Sequence, residues 1–418
     1  MFEYVASGIS PNRHNVIGFP GALDLFKKIN TLGDQKFSFL YNAYQEKGHG
    51  SFFKELKDAG YIYAVHADSG GLQMIMRNVN PNATMRQQIY ENQAEFSDIA
   101  MSFDEIPLII ESADGTAKIS DLNTRFFDME NLVSKARESG QNLKDQVQYF
   151  NKVKTQSSAL MILQGNCLDT YKIWTDELMD VLGEDNYESV GGLALAPTSI
   201  GMGLYEDCVR AIALKTNPYN KNKVHLLGIG SAYRMLPFVI MNSCDWFGKN
   251  YHISYDSTSH SRGLWGILDY KMSDQILRCT GQNPKNRAIV YENLIEMMDI
   301  KCSYETFDIW CDAQCAVGHW KRLIDGTPLQ LEMFSYLCSA FLLGTVANFM
   351  KQLENMTHNV DHINIPELPM LKTMEEVKTH ADGIRWLKDH KGFLFSKPVP
   401  KTTERLASLA EYFTGELT

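Results

Sequence analysis

Nothing in this chain is long and apolar enough to cross a bilayer. The nearest approach, Phe334 to Met350, carries Ser, Cys, Gly, Thr and Asn and reads as a buried helix. Positive charge is also scarce: 40 Lys and Arg against 50 Asp and Glu leave a net charge of -10. That argues against charge-driven coating of nucleic acid or an anionic membrane, while leaving room for a local basic groove. The N-terminal MFEYVASGISPNRHN lacks the basic-then-apolar form of a secretory leader. Eight cysteines in 418 residues, without such a leader, read as reduced thiols, so a cytoplasmic protein is expected. There is no internal repeat and no low-complexity tract. The H-x-E and P-C-x-x-C patterns of a zinc deaminase are missing, which excludes that chemistry.

What is present is globular: 44% hydrophobic and 22% charged residues predict a soluble fold. The length suits one large α/β domain with additions, or two domains. From about residue 60, short apolar runs alternate with longer stretches of helical spacing. The runs are Tyr61–Val65, Ile99–Phe103, Leu160–Leu163, Ser189–Leu195, Val224–Ile229 and Tyr251–Tyr255. The helical stretches are Met85–Ser97, Asn142–Lys154, Thr170–Leu182, Leu204–Leu214 and Tyr233–Asn242. Such alternation predicts a parallel sheet.

Almost every run ends in polar or glycine-rich chemistry. The sharpest case is His66-Ala67-Asp68-Ser69-Gly70-Gly71-Leu72-Gln73, where a carboxylate and a hydroxyl meet two glycines. An ordinary Asp-Ser-Gly-Gly turn is the simpler reading of this octapeptide in isolation. The later ends are Asp104-Glu105, Gln164-Gly165-Asn166, Gly191-Gly192-Leu193, Gly228-Ile229-Gly230 and Asp256-Ser257-Thr258. A doubly wound sheet gathers ligands at one switch point on two or three strands. Six such ends fit a (β/α)8 TIM barrel better, with its first strands before residue 60. The expected organisation is a barrel over 1–275, a small cysteine-containing metal-binding-type subdomain over 276–350, and a C-terminal helical extension over 351–418.

In this order, the motifs resemble those of the tRNA-guanine transglycosylase superfamily. Asp68-Ser69-Gly70-Gly71-Leu72-Gln73 is similar to its D-S-G-G-[FY]-Q, and Ser102-Phe103-Asp104-Glu105 to its F-D-E. Leu163-Gln164-Gly165, Gly191-Gly192-Leu193-Ala194 and Leu227-Gly228-Ile229-Gly230 are similar to V-Q-G, G-G-L-A and M-G-V-G. The similarity runs from about Val65 to Gly263, and more weakly to about residue 350. Leu72 and Leu227 replace the aromatic ring and the methionine that sandwich the base in the family. The V-G-E continuation after G-G-L-A is absent. These departures resemble the phage and bacterial DNA-guanine transglycosylases.

The resemblance implies a (β/α)8 barrel and a pentosyltransferase that exchanges guanine for a 7-deazaguanine in DNA. The exchange passes through a covalent Asp-glycosyl intermediate, the two-carboxylate logic of a retaining glycosidase. It makes Asp68 the general acid/base and Asp256, in Tyr255-Asp256-Ser257, the nucleophile, with Asp245 in Cys244-Asp245-Trp246-Phe247 the rival. Asp104 and Gln164 would read the purine edge. Ser69, Gly191, Gly192 and Leu193 would line the base, and Arg262 would contact the backbone. Arg234 and Lys221-Asn222-Lys223 are further phosphate candidates. His66 and His260 flank the acids and read as structural. The family's structural zinc would fall to Cys302, Cys311, Cys315 and Cys338, with His319 an alternative ligand and buried free thiols the rival reading. The expected partners are nucleic acid and a 7-deazaguanine base, with a homodimer one assembly open to it. The same exchange on tRNA, and a non-catalytic nucleic-acid- or nucleobase-binding subunit, remain alternatives.

Overall fold

The computed structural model describes residues 1–7, 36–44, 47–77, 79–110, 125–127, 131–197, 203–230, 232–246, 251–257, 269–272, 275–278, 284–298, 304, 308, 350 and 352–395. Its strands are β1 (Phe2–Ala6), β2 (Lys36–Asn42), β3 (Val65–Asp68), β4 (Ile99–Met101), β5 (Leu108–Ile110), β6 (Arg125–Phe127), β7 (Ser158–Gly165), β8 (Gly192–Pro197), β9 (Lys223–Leu226), β10 (His252–Ser257), β11 (Asp269–Met272) and β12 (Gln275–Arg278). Eight of them form a closed barrel in the order β1-β10-β9-β8-β7-β4-β3-β2, with every neighbouring pair parallel. The expected barrel is therefore present, and two of its strands precede residue 60. The pairs β5–β6 and β11–β12 are separate antiparallel hairpins.

The strands are short, strongly apolar runs because both faces are buried. In β7, every residue from Ala159 to Gly165 is buried. One face packs under helices. Leu132–Val153 lies beside Leu168–Leu182, which lies beside Leu204–Thr216, followed by Ala232–Ser243. His380–Phe395 packs on Leu204–Thr216 so closely that a Cβ at Gly383 would stand 2.6 Å from Ile212. The chain divides into two compact units. One comprises Met1–Ser7, Gly33–Ser257 and Leu353–Lys397, and contains the barrel. The other comprises Gly8–Leu32, Thr258–Gln352 and Pro398–Thr418. In the second unit, Arg287 donates to the Asp308 carboxylate at 2.8 Å and the rings of Tyr291 and Tyr304 meet edge to face. Among the described residues, no helix is long and apolar enough to cross a membrane.

Successive side chains in a strand alternate faces, so the lumen can be read from contacts between non-adjacent strands. Ile99, Met101, Leu160, Ile162 and Ala194 cluster there, with Ala196 and Leu227 packed against them. That is the apolar half, built by β4, β7 and β8. The other half is polar, contributed by β1, β2, β3, β9 and β10. Glu3, Ser38, His66, His225 and Ser254 are all buried within it.

Candidate active site

The C-terminal ends of the barrel strands bring four of the expected residues to one mouth. His66 bonds Glu3 across the lumen at 2.8 Å, so Asp68, two residues on, faces the lumen as well. Asp256 shares its face with Ser254, whose hydroxyl lies 2.9 Å from His225 Nδ1. Gln164 shares its face with Ile162 of the lumenal cluster. The imidazoles of His66 and His225 approach to 5.5 Å between ring centroids. The two expected catalytic carboxylates thus stand above a pair of touching rings, on the same cavity.

Asp104 follows β4 and reaches the same place. Its carboxylate accepts a hydrogen bond from the Gln164 side-chain amide. Burial pushes the Asp104 carboxyl up to about 7; the Gln164 bond opposes this and the charge of Asp68 adds to it. Gln164 Oε1 is buried and has no partner among the described residues. A buried acceptor left open in this way is costly unless a ligand supplies a donor. Gly71, at the start of the helix Gly71–Met76, makes the approach of Asp104 possible: a Cβ there would lie 3.1 Å from the Asp104 carbonyl oxygen. Ser69 is fully buried, and its hydroxyl accepts the Gly71 N–H at 3.4 Å.

Asp256 is held in the opposite state. Burial raises its carboxyl, but His225, the Gly228 N–H and Ser7 together outweigh burial and bring it below the usual carboxylate range. The Gly228 N–H donates to Oδ1 at 2.9 Å. A buried clasp fixes the loop that presents this amide. Arg234 makes a bidentate pair with Asp207 at 2.7 and 2.9 Å and donates to the Gly228 carbonyl at 2.9 Å. Arg210 donates to the Leu227 carbonyl at 2.9 Å.

Other expected residues are not brought to the mouth. Gly191, Gly192 and Leu193 sit at the opposite end of β8. Gly192 pairs with Leu160, whereas Gln164 at the mouth pairs with Ala196. Four residues of strand separate the two levels, about 13 Å. The glycines serve packing there: a Cβ at Gly192 would lie 2.4 Å from the Lys223 carbonyl oxygen. Ala196 is the β8 residue that reaches the mouth. Asp245 follows the helix Ala232–Ser243, which runs back from β9 to the start of β10. It is exposed, in the left-handed region at φ 54°, at the face opposite the strand C-termini. Lys221, also on that opposite face, donates to the carbonyls of Tyr187 and Val190 at 2.8 and 2.7 Å, so it is a structural cation. Arg234 is likewise spent on Asp207. Arg262, His260, His319, Cys302, Cys311, Cys315 and Cys338 lie outside the described residues.

Sequence reasoning missed Glu3, His225 and His252. Glu3 accepts from Ser38, bonds His66, and lies 2.6 Å from His252 Nε2. A single acid in the short run Phe2–Ala6 carries no local sign that it points inward; only closure of β1 onto β10 reveals it. No family model matches the chain, and no curated protein matches it.

Proposed function

We propose that this chain exchanges guanine for a 7-deazaguanine in DNA by glycosyl transfer through a covalent intermediate on Asp256. One observation carries the reading: a single barrel mouth holds a carboxylate kept ionised, Asp256, and a carboxyl raised to about 7, Asp104, hydrogen-bonded to a glutamine with an open acceptor. Environments that push neighbouring carboxyl groups apart are the mark of divided roles in acid–base and nucleophilic chemistry. An ionised Asp256 suits attack at C1′. Asp68, beside Asp104, suits proton transfer at the purine. Asp104 and Gln164 supply acceptors for N–H groups and a donor for the exocyclic carbonyl oxygen of the base. The apolar wall of Leu227 and Ala196 suits a flat heterocycle, which must be extruded from its stack to enter. A structural zinc on Cys302, Cys311, Cys315 and Cys338, with His319 the alternative ligand, belongs to the same reading. It would hold its own segment and enter no step of the reaction. Arg262 is the proposed backbone contact.

The test is incubation of the protein with labelled guanine and either duplex DNA or tRNA. Label is expected in DNA, with a covalent protein–DNA adduct that Asp256→Asn abolishes. Label in tRNA alone would move the substrate. Neither label nor adduct, with nucleic acid still bound, would favour a binding subunit instead.

A further inference from the structure

The two oxygens of Asp256 are not equivalent. Oδ1 accepts the Gly228 N–H at 2.9 Å and lies 3.4 Å from Nε2 of His225, a ring that is fully buried. The other ring nitrogen, Nδ1, is 2.9 Å from the Ser254 hydroxyl. That hydroxyl can donate to Nδ1, or accept from it while donating to the Val224 carbonyl at 3.3 Å. In the first arrangement Nε2 carries the proton beside Asp256 Oδ1, at 3.4 Å and short of hydrogen-bond geometry. In the second a nitrogen lone pair faces a carboxylate oxygen, which is repulsive. An ionised Asp256 therefore selects the first. At 3.4 Å the contact is long, as catalytic hydrogen bonds often are before a ligand closes the site.

We propose that His225 is a positioning residue: with the Gly228 N–H it clamps Asp256 Oδ1 and leaves Oδ2 as the attacking oxygen. This rests on the base-exchange reading. In the step, an Oδ2 electron pair forms the bond to C1′. The C1′–N9 bond breaks, its pair leaves with guanine, and guanine takes a proton from Asp68. The incoming base returns a proton to Asp68 as its own nitrogen displaces Oδ2. His225 keeps its one N–H throughout, so it acts by geometry and by the dipole of that N–H.

Among the described residues, the groups facing the His225 ring are Asp256 and Ser254 from β10, His66 from β3 and, more distantly, Glu3 from β1. Ser7 faces Asp256 from beyond β1. Burial lowers the His225 pKa, so the ring is neutral at neutral pH and can offer one N–H without competing for the proton of the nucleophile.

The experiment compares wild type with His225→Leu, His225→Gln and Ser254→Ala in the full chain. One readout is adduct formation in a single turnover; the other is titration of the Asp256 carboxyl by carbon NMR, identified by its loss in Asp256→Asn. His225→Leu is expected to slow adduct formation about tenfold to a hundredfold, with KM unchanged. Its acid limb and its Asp256 titration should both move to higher pH. His225→Gln, which keeps a donor, should restore both to within a few-fold of wild type. Ser254→Ala leaves the ring and removes the group that fixes its tautomer, so it should shift the titration the same way. It decides the matter alone if His225→Leu does not fold. An Asp256 titration unchanged in His225→Leu, or in Ser254→Ala where the leucine variant is lost, would overturn the proposal. If wild type forms no adduct yet the titration shifts as expected, the base-exchange reading fails and the clamp on Asp256 stands.

Discussion

Asp104 and Asp256 are the same side chain under opposite constraints. Asp256 meets a backbone N–H and an imidazole, and stays charged. Asp104 meets burial, the neighbouring charge of Asp68 and one amide donor, and its carboxyl rises to about 7. The sign follows for both stability and binding. A carboxyl whose folded pKa is raised stabilises the fold fully below its unfolded pKa, about 4, and loses that contribution as pH rises to about 7. Asp104→Asn removes the dependence. Denaturant titrations at pH 5 and pH 8 should show wild type losing stability relative to Asp104→Asn, by on the order of 2–4 kcal/mol at most. Ligand binding should run the other way. Two N–H groups of a guanine-type edge need an ionised acceptor, so guanine affinity should strengthen as pH rises through 7 in wild type and stay flat in Asp104→Asn. Calorimetry across that range reads it directly.

At the scale of the element, a strand has two ends with different duties. The mouth end of each barrel strand carries chemistry and the other end carries packing. Asp68, Gln164 and Asp256 were legible as mouth residues because each closes an apolar run. Gly191 and Gly192 were not, because a glycine pair marks close backbone approach without saying at which end of a strand it occurs. The run Ser189–Leu195 also reads three residues early: β8 begins at Gly192, where β9 crowds it, and continues to Pro197. The consequence is measurable. A Cβ at 192 meets the Lys223 backbone, which cannot swing aside as a side chain would, so β8 and β9 must part. Gly192→Ala should therefore cost about 2–4 kcal/mol of folding stability. If Gly192 touched the base instead, the same change would raise KM and leave the thermal midpoint in place.

At the scale of the whole molecule, the barrel closes by joining β1 to β10, which are separated by nearly the whole barrel sequence, and that seam is what local patterns could not show. Alternating strands and helices announce a parallel sheet; they do not announce which residue lies across the lumen from which. Glu3 sits at the seam. Its carboxylate takes the Ser38 hydroxyl from β2, His66 from β3 and His252 from β10, so one side chain ties together four strands. Burial raises its carboxyl, but the charges and hydrogen bonds of His66 and His252 outweigh burial and hold it well below the usual carboxylate range. A depressed carboxyl contributes stability above its unfolded pKa and loses it as pH falls through the folded value. Glu3→Gln keeps the shape and removes the charge, leaving the buried His66 and the half-buried His252 without their anion. At neutral pH it should cost about 3 kcal/mol, the scale of removing a charged hydrogen-bond partner from buried groups. The difference from wild type should shrink as pH falls below about 4, where the wild-type carboxylate begins to lose its advantage. A Glu3→Gln protein as stable as wild type at pH 7 would mean that the seam is held by backbone pairing alone, and that the polar half of the lumen is there for the site above it.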